Sequence, residues 1–292
     1  MEAFSDQLNN FAKILCGRSL AEQQQLQISI SVQEHIAKGN RAPCLAVMLV
    51  GDNPASAVYV TAKQKACAKV GITSRVLYFS ETSSQSEITD ELLKLNDDQT
   101  VDGILIQLPL PNGLNANALL EILDPKKDVD GLTYYNLGRL VAKNQNFVPC
   151  TPLGCVDLIT SVMPDISGKK AIVLGRSILV GRPMAILLEQ AGATVTVVHS
   201  QSKDVAEISK QADIVVAAIG KPGFVTESYI KPGAVVIDVG ITRVDGVLVG
   251  DVHESVKSVA GWLTPVPGGV GPMTITKLLS NTLKAFMLSN VS

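Results

Sequence analysis

Short apolar runs alternate with helical patterns twice along this chain, and that alternation limits the fold more than any other feature. In the first series, residues 44–50, 75–79 and 103–108 read as buried strands rich in Val, Ile and Leu. Residues 55–70 and 86–95 between them carry helical punctuation. A second series begins near Lys170, with strand-like runs at 171–174, 194–198, 214–218 and 234–239 and helices at 183–191 and 204–210. Repetition of this kind builds parallel sheets, because each crossover returns the next strand in the same direction. Residues 124–152 are richer in Gly, Pro, Asn and Tyr and have weak periodicity, so the junction between two domains is placed there. The predicted class is α/β: an N-terminal domain with a parallel sheet over residues 1–148, then a second α/β domain over 149–273. A last helix starts near Thr274, after a Pro- and Gly-rich loop.

Two domains suit a chain of 292 residues, and 46% hydrophobic against 18% charged residues is ample for two packed cores. Formal net charge is −2 with Lys and Arg scattered, so neither a nucleic-acid nor a membrane-surface footprint is expected. An anionic ligand must then be held by local geometry. Glu2 and Asp6 stand where a signal peptide needs an apolar stretch, and Gly, Pro or charge breaks every run before it could span a bilayer. The five cysteines (Cys16, Cys44, Cys67, Cys150, Cys155) form no CxxC pair and share no metal-ligand spacing with the three histidines. A cytoplasmic chain with reduced thiols and no metal is expected.

The strongest local signal lies between Lys170 and Pro183. An apolar strand runs into Gly175-Arg176-Ser177, and after Gly181 a helix starts with Pro183 near its first position and ends at Gly192. Strand, glycine turn and helix N-terminus bring free backbone N–H groups and the positive helix end to where a pyrophosphate can sit, as in a Rossmann-type domain. The spacing is GxSxxxG rather than GxGxxG, with Ser177 in place of the second glycine, and no Gly-Lys-Ser/Thr follows, which excludes a P-loop. An ordinary βα turn would share these features; the repeated βα pattern around it favours the nucleotide. The following strand, 194–198, ends in His199-Ser200 without the carboxylate that an NAD site places there. Arg176 and Ser200 could instead bind a 2′-phosphate, so the predicted cofactor is NADP. His199 receives no role.

A second signal is a lysine on the wrong face of a helix. Asn53 as N-cap, Pro54 in the first turn and Gly71 beyond the end bound the helix. Ala55, Tyr59, Ala62, Ala66 and Val70 form an apolar stripe, and at about 100° per residue Lys63 lies within about 40° of its centre. Such a lysine either snorkels, its ammonium reaching water, or sits in a cleft with a pKa lowered by desolvation and exchanges protons near neutrality. The preceding strand ends at Val50-Gly51, so this helix begins on the sheet rim where open α/β folds bind ligands. Gln107 reaches the same rim. Asp130 is an acidic candidate, or a plain turn residue.

With these residues assembled, the chain resembles the bifunctional methylenetetrahydrofolate dehydrogenase/methenyltetrahydrofolate cyclohydrolase family from about Leu45 to Leu283. The likeness rests on the Asn53–Ser56 run with Tyr59 and Lys63, the stretch from Asp102 through Gln107 to Pro111, and Lys127 to Gly131. It continues through Pro149 to Pro152, the Gly175–Pro183 turn, and the stretch from Thr264 to Thr274. The resemblance implies that Lys63 is the catalytic lysine, that Tyr59 packs against folate, that Gln107 tunes the lysine and that Asp130 binds the pterin. Pro267, Gly268 and Gly269 would line the folate pocket, and Gly175, Arg176, Ser177, Gly181, Ser200 and Ile241 would surround NADP. It also implies a homodimer, a last helix (274–292) that completes the first domain, and NADP-dependent oxidation of methylenetetrahydrofolate followed by hydrolysis to the formyl compound. Departures are Cys16-Gly17-Arg18 in place of an Asp-Gly-Lys start, the Gln run at 23–25, Ala57 where Gln is frequent, and Thr133-Tyr134-Tyr135 after Asp-Gly. A dehydrogenase for another small substrate, such as a shikimate-type hydroxy acid, or a silent NADP-binding module are the competing readings.

Overall fold

The computed structural model describes residues 11–289, which divide into two compact units. In chain order, strand β1 (Lys13–Ile14) and helix α1 (Gly17–Ala37) lead into β2 (Cys44–Val50), α2 (Pro54–Val70), β3 (Thr73–Phe79) and α3 (Gln85–Asp97). Next come β4 (Gly103–Ile106), α4 (Ala116–Ile122), α5 (Tyr134–Val141) and α6 (Cys150–Val162). The remaining elements are β5 (Lys170–Leu174), α7 (Gly181–Gln190), β6 (Thr194–Val198), α8 (Val205–Ser209), β7 (Ile214–Ala217) and β8 (Val235–Asp238). A short antiparallel hairpin, β9 (Thr242–Val244) and β10 (Val247–Val249), precedes β11 (Trp262–Leu263) and the last helix, α9 (Val270–Ser289).

The lysine-bearing unit comprises Ala21–Cys150 together with the described part of α9 from Ile275 on. Its sheet has three parallel strands in the order β3-β2-β4, with Val47 of β2 registered against Val76 and Leu105. Every residue of β2 is buried, and the two-residue period of a strand splits them between two cores. Leu45, Val47 and Leu49 meet Val60 and Cys67 of α2, Ile28 and Val32 of α1, and Leu278, Leu279, Leu283 and Phe286 of α9. Ala46, Met48 and Val50 meet Ile88, Leu92 and Leu95 of α3, with Leu119 and Leu120 of α4. A capping box starts α3: the Ser84 hydroxyl accepts from the Glu87 N–H, and the Glu87 carboxylate accepts from the Ser84 N–H. Asp102 ties the starts of β2 and β4 together, accepting from Arg41 at 2.7 and 2.8 Å and from the Cys44 N–H at 2.7 Å.

Two sequence expectations are corrected in this unit. The run at 75–79 is not a buried strand: β3 is an edge strand, and Tyr78 is 70% exposed. The buried face of α2 is Ser56, Val60, Lys63, Cys67 and Val70, while Tyr59, Ala62 and Ala66 are half-buried on its flank. Alanine is tolerated on either side of a helix boundary and so misdirected the stripe. The correction moves Lys63 to the centre of the inner face.

The second, glycine-loop unit comprises residues 11–20 and Thr151–Thr274. Its main sheet has six strands, all parallel, in the order β1-β11-β8-β7-β5-β6. Ile172, Leu174, Val215, Ala217 and Val236 line one buried face with Ala12, Val225 and Leu263. The boundary read from sequence differs at the N-terminus: residues 11–20 group here, because Lys13 and Ile14 pair with Trp262 and Leu263. A two-residue strand carries no periodicity by which sequence could place it. Residues 1–10 and 290–292, which the sequence reading included in its first domain and last helix, lie outside the described residues.

Candidate active site

In the lysine-bearing unit, the chain passes from β2 to β3 on one side and then returns to β4 on the other. The carboxyl ends of β2 and β4 flank this reversal, where open α/β sheets form their crevices. Gln107 follows β4 directly, its N–H donating to the Met48 carbonyl at 2.9 Å. Lys63, 8% exposed, donates from Nζ to Gln107 Oε1 at 2.7 Å. The Gln107 amide nitrogen donates in turn to the Leu108 carbonyl at 2.7 Å, which fixes the amide with its oxygen toward the lysine. Lys63 therefore does not snorkel. Burial pulls its pKa down from the ordinary lysine range, opposed by the nearby Asp130 carboxylate and the Cys150 and Cys67 thiols.

Asp130 is held at that spot by its turn. Asp128 accepts from the N–H groups of Leu132 and Thr133 (3.1 and 2.8 Å) and from the Asn136 side-chain amide (2.8 Å). Gly131, at φ +69°, lies so close to the chain at Val148 that a Cβ would fall 2.6 Å from its carbonyl carbon. Burial pushes the Asp130 carboxyl up to about 6, tempered by the Lys63 charge. The structure thus brings Lys63, Gln107 and Asp130 together, with the half-buried Tyr59 one helical turn before the lysine. Burial also pushes the Tyr59 phenol up.

Sequence reasoning missed two members of this cluster. The Cys150 thiol reaches the Val129 carbonyl at 3.3 Å and the Asp130 carboxyl, and burial raises its pKa well above the usual thiol value. Asn281 of α9 donates to the carbonyls of Val129 (2.8 Å) and Val148 (3.3 Å) and so supports the same turn. Cys150 stands inside the Pro149–Pro152 motif, where its sequence context marks it only as one thiol among five. Nothing in the sequence near Asn281 pointed to it.

In the glycine-loop unit, β5 leads to β6 on one side and the chain then returns to β7 on the other, so the same reversal recurs. Gly175 has φ +115°, and a Cβ there would sit 2.2 Å from the Ala218 carbonyl oxygen. At Gly181 a Cβ would sit 2.2 Å from the Gly175 carbonyl oxygen, so α7 starts directly against the turn. The helix begins at Gly181, two residues before Pro183; Val180 at its N-cap supplies no side-chain cap, and in the turn ahead of it the Ser177 hydroxyl accepts from the N–H groups of Val180 (3.2 Å) and Gly181 (3.3 Å). Of the N–H groups expected to be free at this turn, those of Val180 and Gly181 are taken by Ser177.

A cavity of about 320 Å³ opens at these strand ends, lined by Gly175, Arg176, Ser177, Ser200, Ile219 and Phe224 among others. Arg176 is exposed at its rim and donates to the Gln201 side-chain carbonyl at 3.3 Å. The lack of a Cβ at Gly175 and Gly181, the hydroxyls of Ser177 and Ser200 and the guanidinium of Arg176 suit the phosphates of a dinucleotide. Ile241, 38% exposed, is not among the residues lining that cavity, nor is Gly181. Pro267, Gly268 and Gly269 precede α9; the Gly268 carbonyl accepts from the Arg18 N–H at 3.1 Å, and Gly269 packs on Gly17.

Among the described residues no group of three or more His, Cys, Asp or Glu side chains is arranged to hold a metal ion. No helix among them is long and apolar enough to cross a membrane.

Two family descriptions match the chain. Residues 15–130 match the tetrahydrofolate dehydrogenase/cyclohydrolase catalytic domain, and residues 149–290 match the NAD(P)-binding domain of the same family. The bifunctional protein FolD of Staphylococcus carnosus is 49% identical over 276 residues, which cover 94% of this chain and 96% of that one. The crystal structure of the bifunctional FolD methylenetetrahydrofolate dehydrogenase/cyclohydrolase from Campylobacter jejuni is 43% identical with a TM-score of 0.92, covering 95% of this chain and 99% of that one. The Trypanosoma brucei methylenetetrahydrofolate dehydrogenase-cyclohydrolase (FolD), complexed with NADP cofactor and inhibitor, is 38% identical with a TM-score of 0.93, covering 97% and 99%. Likeness of this extent across both units leaves one conclusion: the chain belongs to the tetrahydrofolate dehydrogenase/cyclohydrolase family.

Proposed function

We propose that this chain oxidises 5,10-methylenetetrahydrofolate to the methenyl compound with NADP and hydrolyses that product to 10-formyltetrahydrofolate, with Lys63 transferring the protons of the second reaction. The observation that carries the proposal is the buried Lys63 ammonium, seated 2.7 Å from Gln107 Oε1 in a unit whose family acts on folates.

NADP held by Gly175, Arg176, Ser177 and Ser200 would supply the acceptor for a hydride from the methylene carbon, and oxidation at that carbon leaves an amidinium-like cation on the folate. That step needs no proton transfer from the protein, whose part is to hold the substrate in attack geometry and exclude water. Hydrolysis differs. Water adds to the cationic carbon and loses a proton, and the carbon–nitrogen bond to the ring nitrogen breaks as that nitrogen gains one. Lys63, its pKa lowered by burial, takes the first proton as a neutral amine and returns it as an ammonium. Gln107 orients the amine in both states, because its carbonyl accepts from either form.

Asp130 as acceptor for pterin N–H groups and Tyr59 as a ring against folate belong to the same proposal. So do Gly175, Arg176, Ser177, Gly181, Ser200 and Ile241 as cofactor contacts. NADP rather than NAD is supported by Arg176, Ser200 and the absence of an acid at the end of β6, and by the NADP held by the Trypanosoma brucei relative. A homodimer and a cytoplasmic setting are carried over from the family resemblance and the free thiols.

Purified protein with methylenetetrahydrofolate and NADP tests this, if NADPH and the methenyl compound are followed separately by absorbance. NADPH with little methenyl accumulation is expected. Stoichiometric methenyl build-up would refute the lysine's role, and no NADPH with either nicotinamide cofactor would refute the dehydrogenase.

A further prediction concerns Gln107→Glu. A carboxylate against Nζ favours the ammonium, so the Lys63 pKa rises and less free amine remains near neutrality. The rising limb of the hydrolysis pH profile is expected to move up by about 1–3 pH units, the usual effect of an adjacent opposite charge. An unmoved limb, measured on the isolated methenyl compound, would mean that Lys63 is not the titrating group.

A further inference from the structure

Behind the cofactor cavity, two buried carboxylates are stacked in series. Asp251 is completely buried, and its Oδ2 accepts from two consecutive backbone N–H groups, Ile219 at 2.7 Å and Gly220 at 3.0 Å. These residues follow β7, and Ile219 lines the cavity. Asp238, 4% exposed at the end of β8, supports Asp251 from behind by accepting from the N–H groups of Asp251 (2.8 Å) and Val252 (3.0 Å). The Asp238 N–H donates to the Thr264 hydroxyl at 2.7 Å, which anchors the series to the chain after β11.

Two glycines make room for the carboxylates. A Cβ at Gly250 would fall 1.8 Å from Asp238 Oδ2, and one at Gly240 would fall 2.2 Å from Asp251 Oδ1. On the cavity side the chain is as tight, since Ala218 lies directly against Gly175 of the phosphate turn. A shift of the loop at 218–220 would therefore reach the turn.

The arrangement is costly for a merely structural device. Burial, with the Asp251 carboxylate alongside, pushes the Asp238 carboxyl up to about 7. Asp251 Oδ1 has no hydrogen-bond partner among the described residues. An unpaired buried carboxylate oxygen costs free energy, and two neighbouring buried acids repel. What the charge supplies is a pair of short, charge-assisted bonds to adjacent amides, stronger and more directional than neutral ones.

We propose that Asp251 is a positioning residue for the nucleotide: its carboxylate, supported by Asp238, fixes the loop at 218–221 as one wall of the cofactor cavity. The proposal rests on the nucleotide assignment above. It predicts a defect confined to the cofactor, because methenyl hydrolysis uses no nicotinamide.

The test is Asp251→Asn, the same shape without the charge. The KM for NADP is expected to rise about tenfold or more, with kcat at saturating NADP and hydrolysis of isolated methenyltetrahydrofolate each within about twofold of the parent. Thr264→Val, which removes only the anchoring hydroxyl, is expected to raise the same KM about threefold, and it carries the test if the asparagine variant does not fold. An unchanged KM for NADP in the folded variant overturns the proposal. So does a parallel fall of hydrolysis and oxidation, which would mark a general structural role. Fluorescence titration of the unsubstituted protein with NADP separates the two levels: absence of binding there defeats the nucleotide assignment itself.

Discussion

Lys63→Met is expected to lower methenyltetrahydrofolate hydrolysis by about 10³-fold, within the 10²–10⁴ that general acid–base catalysis contributes. NADPH formation should persist, so the methenyl compound accumulates one for one with NADPH. Methionine is close to lysine in volume and unbranched, so it fills the same channel on α2 with little repacking. It also removes a desolvated charge, and the variant should melt within a few degrees of the parent. The loss then reports proton transfer rather than misfolding. A secondary effect has a definite sign: without the Lys63 charge to temper it, the Asp130 carboxyl moves further up from about 6. Hydrolysis within tenfold of the parent, followed by the decay of methenyl absorbance, would remove Lys63 from the mechanism.

Gly181→Ala should do the reverse, abolishing use of the cofactor while sparing hydrolysis. The added methyl would stand 2.2 Å from the Gly175 carbonyl oxygen and 2.6 Å from its carbonyl carbon. Those are backbone atoms of the phosphate turn, held on their other side by the Ala218 carbonyl, so no flexible side chain can yield. Overpacking of this kind costs about 3 kcal/mol, and here it must open the turn itself. NADP affinity is expected to fall by 100-fold or more in a fluorescence titration. The denaturation midpoint should drop with it. Unchanged affinity would show that the turn is not where the phosphates bind.

Much of the fold was legible because it is written in strong local signals. The bounds of β2 match the apolar run at 44–50, and those of α2 follow from Asn53, Pro54 and Gly71. Lys63 stood out because an ammonium on an inner face has few physical explanations. What sequence misjudged was direction and neighbourhood. Ala62 and Ala66 drew the stripe of α2 off its axis, and β3 reads as apolar although it lies at a sheet edge. Helix α1 went unread, since in its Gln-rich sequence only Ala21, Ile28 and Val32 are buried apolar positions. Asn281 meets Val129 from 152 residues away, Asp251 reaches back 32 residues to Ile219, and no local pattern announces these contacts or the one between Cys150 and Val129. The same holds for β1, whose only signature is its partner.

The core around Leu45, Val47 and Leu49 has a bearing on how the protein is made. It is closed by Leu278, Leu279, Leu283 and Phe286, which leave the ribosome after every strand of both units. Synthesis runs from the N-terminus, and domains tend to fold as they emerge. Here the early strands cannot be sealed until the whole glycine-loop unit has been translated. The later-made unit has all its strands by Leu263 and can settle first, while the earlier one waits with an apolar face uncovered. Apolar surface exposed over such an interval is what makes a nascent chain prone to aggregate.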